Sequence, residues 1–182
     1  MKTFNLAVIA GDGIGPEVVA QGLKVLDVVA SKYQVKFDKK EYELGAKYWH
    51  KTKEALPDDV MKDLAKADVI LLGAVGDPSV PSGTLERGLL LKLRFGFDHY
   101  VNLRPARLFA GVKSAITNSN NIDFVVVREG TEGLYVGAGQ VKDQGSKTEH
   151  ATEESINTYN GVERVIRYAF NKAKAQIGRA HV

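Results

Sequence analysis

The chain has 182 residues, of which 44% are hydrophobic and 26% are charged, and its formal net charge is only +3. This composition is typical of a globular protein, and no basic tract indicates a nucleic acid or a membrane surface as a partner. The absence of cysteine excludes disulfides and thiolate metal sites and fits a reducing compartment. Apolar runs such as 69–72 are far shorter than the roughly 20 residues that a membrane-spanning helix needs.

The first 72 residues alternate between predicted strands and helices. Compact apolar runs predict strands, whereas apolar residues that recur on one helical face predict helices. The predicted strands span 4–9, 35–42 and 68–72, and the predicted helices span 17–32 and a short stretch that opens at Pro57. This β-α-β-α-β order indicates an α/β fold with a mostly parallel sheet covered on both faces, with ligands near the carboxyl ends of its strands.

The remaining residues predict two further helices and one further strand. The helices span 86–94 and about 158–174, and a buried strand spans 122–127. Between them, residues 136–152 are polar and rich in glycine, a composition that predicts a hairpin or an extended arm.

Two glycine-rich segments follow predicted strands. Residues 11–15 read GDGIG, a spacing that does not match the G-x-G-x-x-G fingerprint, so a Rossmann dinucleotide site is excluded. The segment is either a tight strand-to-helix turn or a loop that faces a ligand, where a helix N-terminus attracts anions. Residues 73–76 read GAVG, and their small side chains would permit the close approach of a flat ligand.

Three arginines lie at or beside the ends of apolar segments. Arg94 ends a leucine-rich stretch, Arg104 precedes a proline, and Arg128 follows the apolar run 124–127. Taken singly, each could be a solvated charge or the partner of a nearby carboxylate. Together they suggest a polyanionic ligand, because a guanidinium beside a buried segment needs a partner. Planar bidentate donors suit a small di- or tricarboxylate.

Four segments carry a resemblance to a known family. They are residues 11–18, 72–76, 102–105 and 127–135, which read GDGIGPEV, LGAVG, NLRP and VREGTEGLY. In sequence, order and spacing they resemble the β-decarboxylating hydroxyacid dehydrogenases, the isocitrate and isopropylmalate dehydrogenase family. The likeness runs from about residue 3 to about residue 174. It implies the two-domain α/β fold of that family, which is not a Rossmann fold.

The resemblance implies roles for individual residues. Arg94, Arg104 and Arg128 would bind the carboxylates of the substrate, and Tyr135 would protonate carbon after decarboxylation, a step that a phenol can perform as a general acid. Without the motif, Tyr135 would be interpreted as a half-buried packing residue. The residues that would lie near a bound nicotinamide cofactor are Ile14, Gly73, Ala74, Val75, Gly76 and Glu86.

The substrate within the family depends on the helix before Arg94. In isocitrate-type members, a serine and an asparagine stand six and four residues before that arginine, whereas this chain has Gly88 and Leu90. Leu90 and Leu91 offer an apolar wall that suits a branched alkyl group and rejects an unpaired carboxylate. The resemblance therefore implies NAD-dependent oxidative decarboxylation of 3-isopropylmalate to 4-methyl-2-oxopentanoate, a step of leucine biosynthesis.

Two alternatives stay open. The Gly-Leu-Leu spacing to Arg94 and the YVNLRP segment are shared with D-malate and tartrate dehydrogenases of the same family, although these tend to carry an aromatic residue in place of Arg87. Commoner isopropylmalate enzymes also have one residue fewer between the helix glutamate and the arginine. The other alternative is a non-catalytic regulatory relative of the same fold.

The family pattern also predicts the organisation of the chain. Residues 1–100 would be the N-terminal part of a first α/β domain, and residues 101–176 would be an incomplete second domain with a dimer arm near 136–152. The catalytic lysine and the aspartates that bind Mg²⁺ or Mn²⁺ would lie beyond this sequence, so the chain alone is expected to be inactive. The full-length protein is expected to be a cytoplasmic homodimer.

The last six residues leave the family pattern. Residues 177–182 read IGRAHV, the peptide that a widely used sequencing-library adapter encodes in one reading frame. We therefore expect this tail to be non-native, and a divergent natural tail is the alternative.

Overall fold

The computed structural model describes residues 1–117 and 122–176. The chain divides into two compact units, Met1–Leu93 and Arg94–Val182. The domain limits and the dimer arm inferred from the sequence stay predictions, and the predicted non-native tail, 177–182, lies outside the described residues.

The first unit contains a three-stranded parallel sheet. Strand β1 spans Lys2–Ile9, β2 spans Val35–Glu41 and β3 spans Val69–Leu72. The strand order is β2-β1-β3, with β1 parallel to both neighbours. The predicted β-α-β-α-β order is confirmed. The last residues of β1, including Val8 and Ile9, are buried because the central strand has a neighbour on either side.

Three helices lie between the strands of this sheet in chain order. Helix α1 spans Gly15–Tyr33, α2 spans Ala46–Thr52 and α3 spans Asp58–Leu64. Val19 of α1 packs with Leu6 and Val8 in a buried cluster, as the apolar spacing predicts. The sequence analysis did not predict α2, which is only seven residues long.

The helix predicted over 86–94 is not uniform. Residues Glu86–Leu91 form a π-helical turn, and an α-helix, α4, continues over Lys92–Gly96. Leu85, Leu89 and Leu93 are all buried. A π-helical turn is wider than an α-helical turn, so side chains four residues apart stay close to one line along the helix.

The second unit is built from two antiparallel strand pairs and a long helix. Strands β4 (Val101–Arg107) and β5 (Asp123–Glu129) pair with each other, as do β6 (Gly139–Lys142) and β7 (His150–Glu153). The β6–β7 pair forms the hairpin predicted for 136–152. Helix α5 spans Tyr159–Ala175, packs against β5 and begins after Thr158.

The prediction of a buried strand at 122–127 is wrong in its burial. Phe124 is 53% exposed and Val126 is 44% exposed. The apolar run forms a strand as expected, but it is half of a two-stranded sheet, which cannot shield both of its faces. No helix in the described part of the chain is long and apolar enough to cross a membrane.

Candidate active site

Two glycine loops meet at the carboxyl ends of β1 and β3. The Asp12 amide donates to the Ala74 carbonyl at 2.6 Å. Gly11 has φ +76°, and a β-carbon there would lie 2.0 Å from the Ala74 oxygen. A β-carbon at Gly73 would lie 2.1 Å from the Ala10 oxygen. The glycines are therefore required for backbone-to-backbone contact between the loops.

Asp12 holds the two loops to a third segment. One carboxylate oxygen accepts the Ala46 amide at the start of α2 at 2.8 Å, and the other accepts the Gly76 amide at 3.1 Å. A β-carbon at Gly45 would lie 2.6 Å from that first oxygen. Asp12 was not predicted as a site residue, although an aspartate in a glycine-rich turn commonly accepts backbone amides.

The predicted cofactor residues lie on and beside these loops. Ile14 is 68% exposed at the start of α1. A β-carbon at Gly76, which has φ +136°, would lie 3.7 Å from a carboxylate oxygen of Glu86. The structure thus brings Glu86 to the end of the 73–76 loop and leaves Ile14 open to a ligand. Leu90 and Leu91 are half-buried in the π-helical turn of the same unit.

Two of the predicted arginines surround Tyr135 in the second unit. Arg128 donates a hydrogen bond from Nη2 to the Tyr135 hydroxyl. The guanidinium carbons of Arg94 and Arg128 lie 4.7 Å and 5.0 Å from the centroid of the tyrosine ring. Such distances allow cation–π attraction. The half-buried Tyr135 ring therefore lies next to two positively charged side chains.

The third arginine lies on the same strand pair. In the antiparallel register, Arg104 pairs with Val126 and Arg128 pairs with Asn102. Arg128 shares a face with Asn102, which lies directly opposite it, and Asn102 shares a face with Arg104, two residues further along the same strand. Arg104 and Arg128 therefore point to the same side of the sheet. Both are exposed. Within residues 1–117 and 122–176, Arg94, Arg104 and Arg128 make no ion pair with a carboxylate.

Known proteins with similar sequences and structures identify the family. The family model described as isocitrate/isopropylmalate dehydrogenase matches residues 5–182. The chain belongs to this family. It is 61% identical over 174 residues to 3-isopropylmalate dehydrogenase of Thermobifida fusca (strain YX), a match that covers 94% of this chain and 49% of that protein.

Further relatives show the same coverage. A 3-isopropylmalate dehydrogenase of Frankia casuarinae is 62% identical over 170 residues, with 93% of this chain and 48% of that protein covered. A crystal structure of isocitrate dehydrogenase from Methylococcus capsulatus matches with a TM-score of 0.78 at 32% identity, covering 97% of this chain and 49% of that one. This isocitrate/isopropylmalate dehydrogenase family member spans about half the length of the relatives it matches.

Glu129 organises the turn that follows β5 in this family member. Its carboxylate accepts the Thr131 amide at 2.8 Å, the Thr131 hydroxyl at 2.7 Å and the Glu132 amide at 2.6 Å. Burial raises the pKa of Glu129, but the hydrogen bonds from Thr131 and the neighbouring backbone amides outweigh burial and lower the pKa from its ordinary value of 4.5. Glu129 is therefore a stable anion at neutral pH.

Arg164 of α5 holds the same turn from the other side. Its guanidinium donates to Asp98 and to the Thr131 hydroxyl, each at 2.8 Å, and lies 4.4 Å from the Tyr100 ring centroid. Its Nε is buried without a hydrogen-bond partner among the described residues. Sequence reasoning missed Arg164, because nothing around it distinguishes it from the other basic residues of a solvated helix.

The described residues hold no evident metal centre. Among residues 1–117 and 122–176, no group of three His, Cys, Asp or Glu side chains could hold a metal ion. The Mg²⁺ or Mn²⁺ that the family resemblance implies would therefore need ligands from other residues.

Proposed function

We propose that the protein carrying this chain catalyses the NAD-dependent oxidative decarboxylation of 3-isopropylmalate. The observation that carries the proposal is the grouping of Arg94, Arg128 and Tyr135, with Arg104 on the same sheet face as Arg128. This grouping places guanidinium groups, which suit carboxylates, beside a phenol, which can protonate carbon after CO₂ is lost. The names of the 3-isopropylmalate dehydrogenases to which the chain is similar support it.

The arginines would bind the carboxylates of the substrate. Arg104 and Arg128 are exposed and, within the described residues, lack carboxylate partners, so their donors are available to an incoming anion. Leu90 and Leu91 would contact the isopropyl group, since an alkyl branch gains free energy by leaving water for an apolar wall. Gly88 and Leu90 provide no donor for the additional carboxylate of isocitrate.

Tyr135 would supply the proton that replaces the lost carboxylate. Its hydroxyl oxygen accepts from Arg128, so the phenolic hydrogen is not used in that contact and can be donated elsewhere. The adjacent guanidiniums of Arg94 and Arg128 would stabilise the phenolate that remains after proton transfer. We therefore assign Tyr135 the role of general acid toward the substrate carbon.

The glycine loops would hold the nicotinamide cofactor. The loops lie at the carboxyl ends of parallel strands, where ligands bind in α/β sheets, and Ile14 is open beside them. NAD, when bound, accepts the hydride from the substrate. Ile14, the 73–76 loop and Glu86 would bind and orient the ring, since the Glu86 carboxylate lies near Gly76 at the end of that loop.

The assembly we propose is a homodimer in the cytoplasm. The β6–β7 hairpin is exposed over all its strand residues, and α5 exposes Val162 and Phe170. Exposed apolar residues on one long helix are typical of an interface. The hairpin would act as the arm that contacts a second subunit.

A second candidate substrate class is D-malate or tartrate. The observation that favours it is the YVNLRP segment with the Gly-Leu-Leu spacing before Arg94. A steady-state comparison of the purified full-length protein on 3-isopropylmalate, isocitrate, D-malate and tartrate decides between them. We expect kcat/KM to be highest for 3-isopropylmalate. A higher value for D-malate or tartrate would transfer the assignment to that class, and inactivity on all four would favour a regulatory relative.

A further inference from the structure

We propose that Glu132 is a positioning residue that fixes the direction of the Tyr135 hydroxyl by tying the tyrosine-bearing segment to the N-terminus of α5. The inference rests on the proposed function, because it assumes that Tyr135 is the proton donor. Glu132 itself does not touch the Tyr135 hydroxyl in the contacts described here; it acts through the backbone between them.

Glu132 makes a two-pronged contact with the residue that precedes α5. One carboxylate oxygen accepts the Thr158 amide at 2.7 Å, and the other accepts the Thr158 hydroxyl at 2.6 Å. The Thr158 hydroxyl in turn accepts the Gly161 amide at 3.0 Å. Its single hydrogen goes to Glu132 and its lone pair caps the helix, so the three groups form one continuous network.

Gly161 provides the space for this carboxylate. A β-carbon at position 161 would lie 2.3 Å from the carboxyl carbon of Glu132, closer than real atoms approach. Glycine is otherwise unfavourable inside a helix, and Gly161 is buried in the first turn of α5. The absence of a side chain lets a negative charge lie against the helix N-terminus, where the macrodipole favours it.

The segment between Glu132 and Tyr135 is short and is held at a further point. Gly133, with φ +71°, donates its amide to the Ile156 carbonyl at 2.7 Å and accepts from the Ile156 amide at 3.3 Å. A single helical turn, Leu134–Val136, then carries Tyr135. Glu132 lies only three residues before Tyr135, so a displaced Glu132 would shift the start of this turn and with it the position of the tyrosine relative to Arg128.

The test uses two variants of the full-length protein that act on the network in different ways. Glu132→Gln keeps the size of the side chain and one acceptor oxygen, so the fold is retained, but it puts an amide donor where the second acceptor was. Gly161→Ala leaves Glu132 intact and displaces its carboxylate. Single-turnover measurements separate NADH formation from the later appearance of the decarboxylated product.

We expect both variants to form NADH at the wild-type rate within about twofold, and to slow the protonation step about 10- to 100-fold, the scale of a misplacement near 1 Å. KM for NAD should not change. Glu163→Gln is the matched control, because that carboxylate lies on the same helix and, among the described residues, pairs with exposed Arg167 alone. Thr158→Ser keeps both donors and should behave as wild type.

Tyr135→Phe, measured in parallel, separates this inference from the function on which it rests. If Tyr135→Phe slows protonation but both network variants leave it unchanged, the positioning role of Glu132 is wrong and the proton donor stands. If Tyr135→Phe leaves protonation unchanged, the proton-donor role fails and the inference fails with it. A fall in thermal stability with unchanged protonation would make Glu132 a structural cap only.

Discussion

Arg104 lies diagonally across from Arg128 on one face of the β4–β5 sheet, since Arg104 pairs with Val126 and Arg128 pairs with Asn102. Diagonal neighbours in an antiparallel pair are about 7–8 Å apart, within the combined reach of two long side chains on one small anion. The register of two strands therefore sets the spacing of the two guanidinium groups that we propose bind the substrate carboxylates.

Replacing Arg104 by lysine should raise KM for 3-isopropylmalate about tenfold or more, since a point ammonium cannot reproduce a bidentate fork. The value of kcat should change less. Arg107→Lys is the matched control, because Arg107 lies three residues further on the same strand, on the opposite face, beside Asp123. Equal KM values for wild type and Arg104→Lys would remove Arg104 from the site.

Tyr135→Phe should slow turnover after hydride transfer while leaving the affinity for NAD nearly unchanged, because the ring remains and only the proton donor is lost. A burst of NADH followed by a slow steady state would be the kinetic signature, with slow formation of the protonated product, 4-methyl-2-oxopentanoate. Formation of 4-methyl-2-oxopentanoate at the wild-type rate in this variant would show that another group supplies the proton.

Asp12→Asn should weaken NAD binding more than substrate binding. The amide can accept from only one of the Ala46 and Gly76 backbone amides, and its own donors then face the other. We expect a loss of about 1–3 kcal/mol in the free energy of unfolding, together with a raised KM for NAD. Asp68→Asn is the control, since Asp68 accepts the Asn5 amide at the other end of the sheet.

Acid should destabilise the second unit through Glu129. The folded-state pKa of Glu129 lies below its ordinary value of 4.5, so the stabilisation is complete above that value and is lost as the pH falls through the lowered pKa. Glu129→Gln should therefore flatten the pH dependence of the unfolding temperature below about pH 4.5. An unchanged pH dependence in the variant would show that Glu129 makes no such contribution.

The 182-residue polypeptide expressed alone should self-associate and produce no NADH from 3-isopropylmalate. Helix α1 exposes Val18, Val25 and Val28 at 58%, 63% and 68%, and β5 and α5 expose Phe124 and Phe170 at 53% each. Apolar area of this extent favours association in water. Light scattering would check the predicted self-association, and a spectrophotometric assay would check the predicted absence of NADH formation. A monodisperse monomer that unfolds cooperatively would contradict the prediction of self-association.

Much of the first unit could be predicted because its signals are local. The runs that become β1 and β3 end at glycines, and Pro16 marks the start of α1. Asp12, Arg164 and the Glu132–Gly161 contact were not predicted, because each depends on residues that are distant in the sequence and meet only after folding. The burial of β5 was predicted wrongly for the same kind of reason, since an apolar run reveals a strand but not whether a second layer covers it.

The π-helical turn at Glu86–Leu91 gives this segment a tolerance for changes in length. In a π-helical turn, each hydrogen bond joins residues that are five positions apart. Removing one residue leaves hydrogen bonds between residues four positions apart, as in an ordinary α-helix. Leu85 before the turn and Leu93 after it would keep their orientation toward the buried side. A one-residue insertion or deletion here can therefore accumulate between related sequences without shifting the phase of the helix that follows.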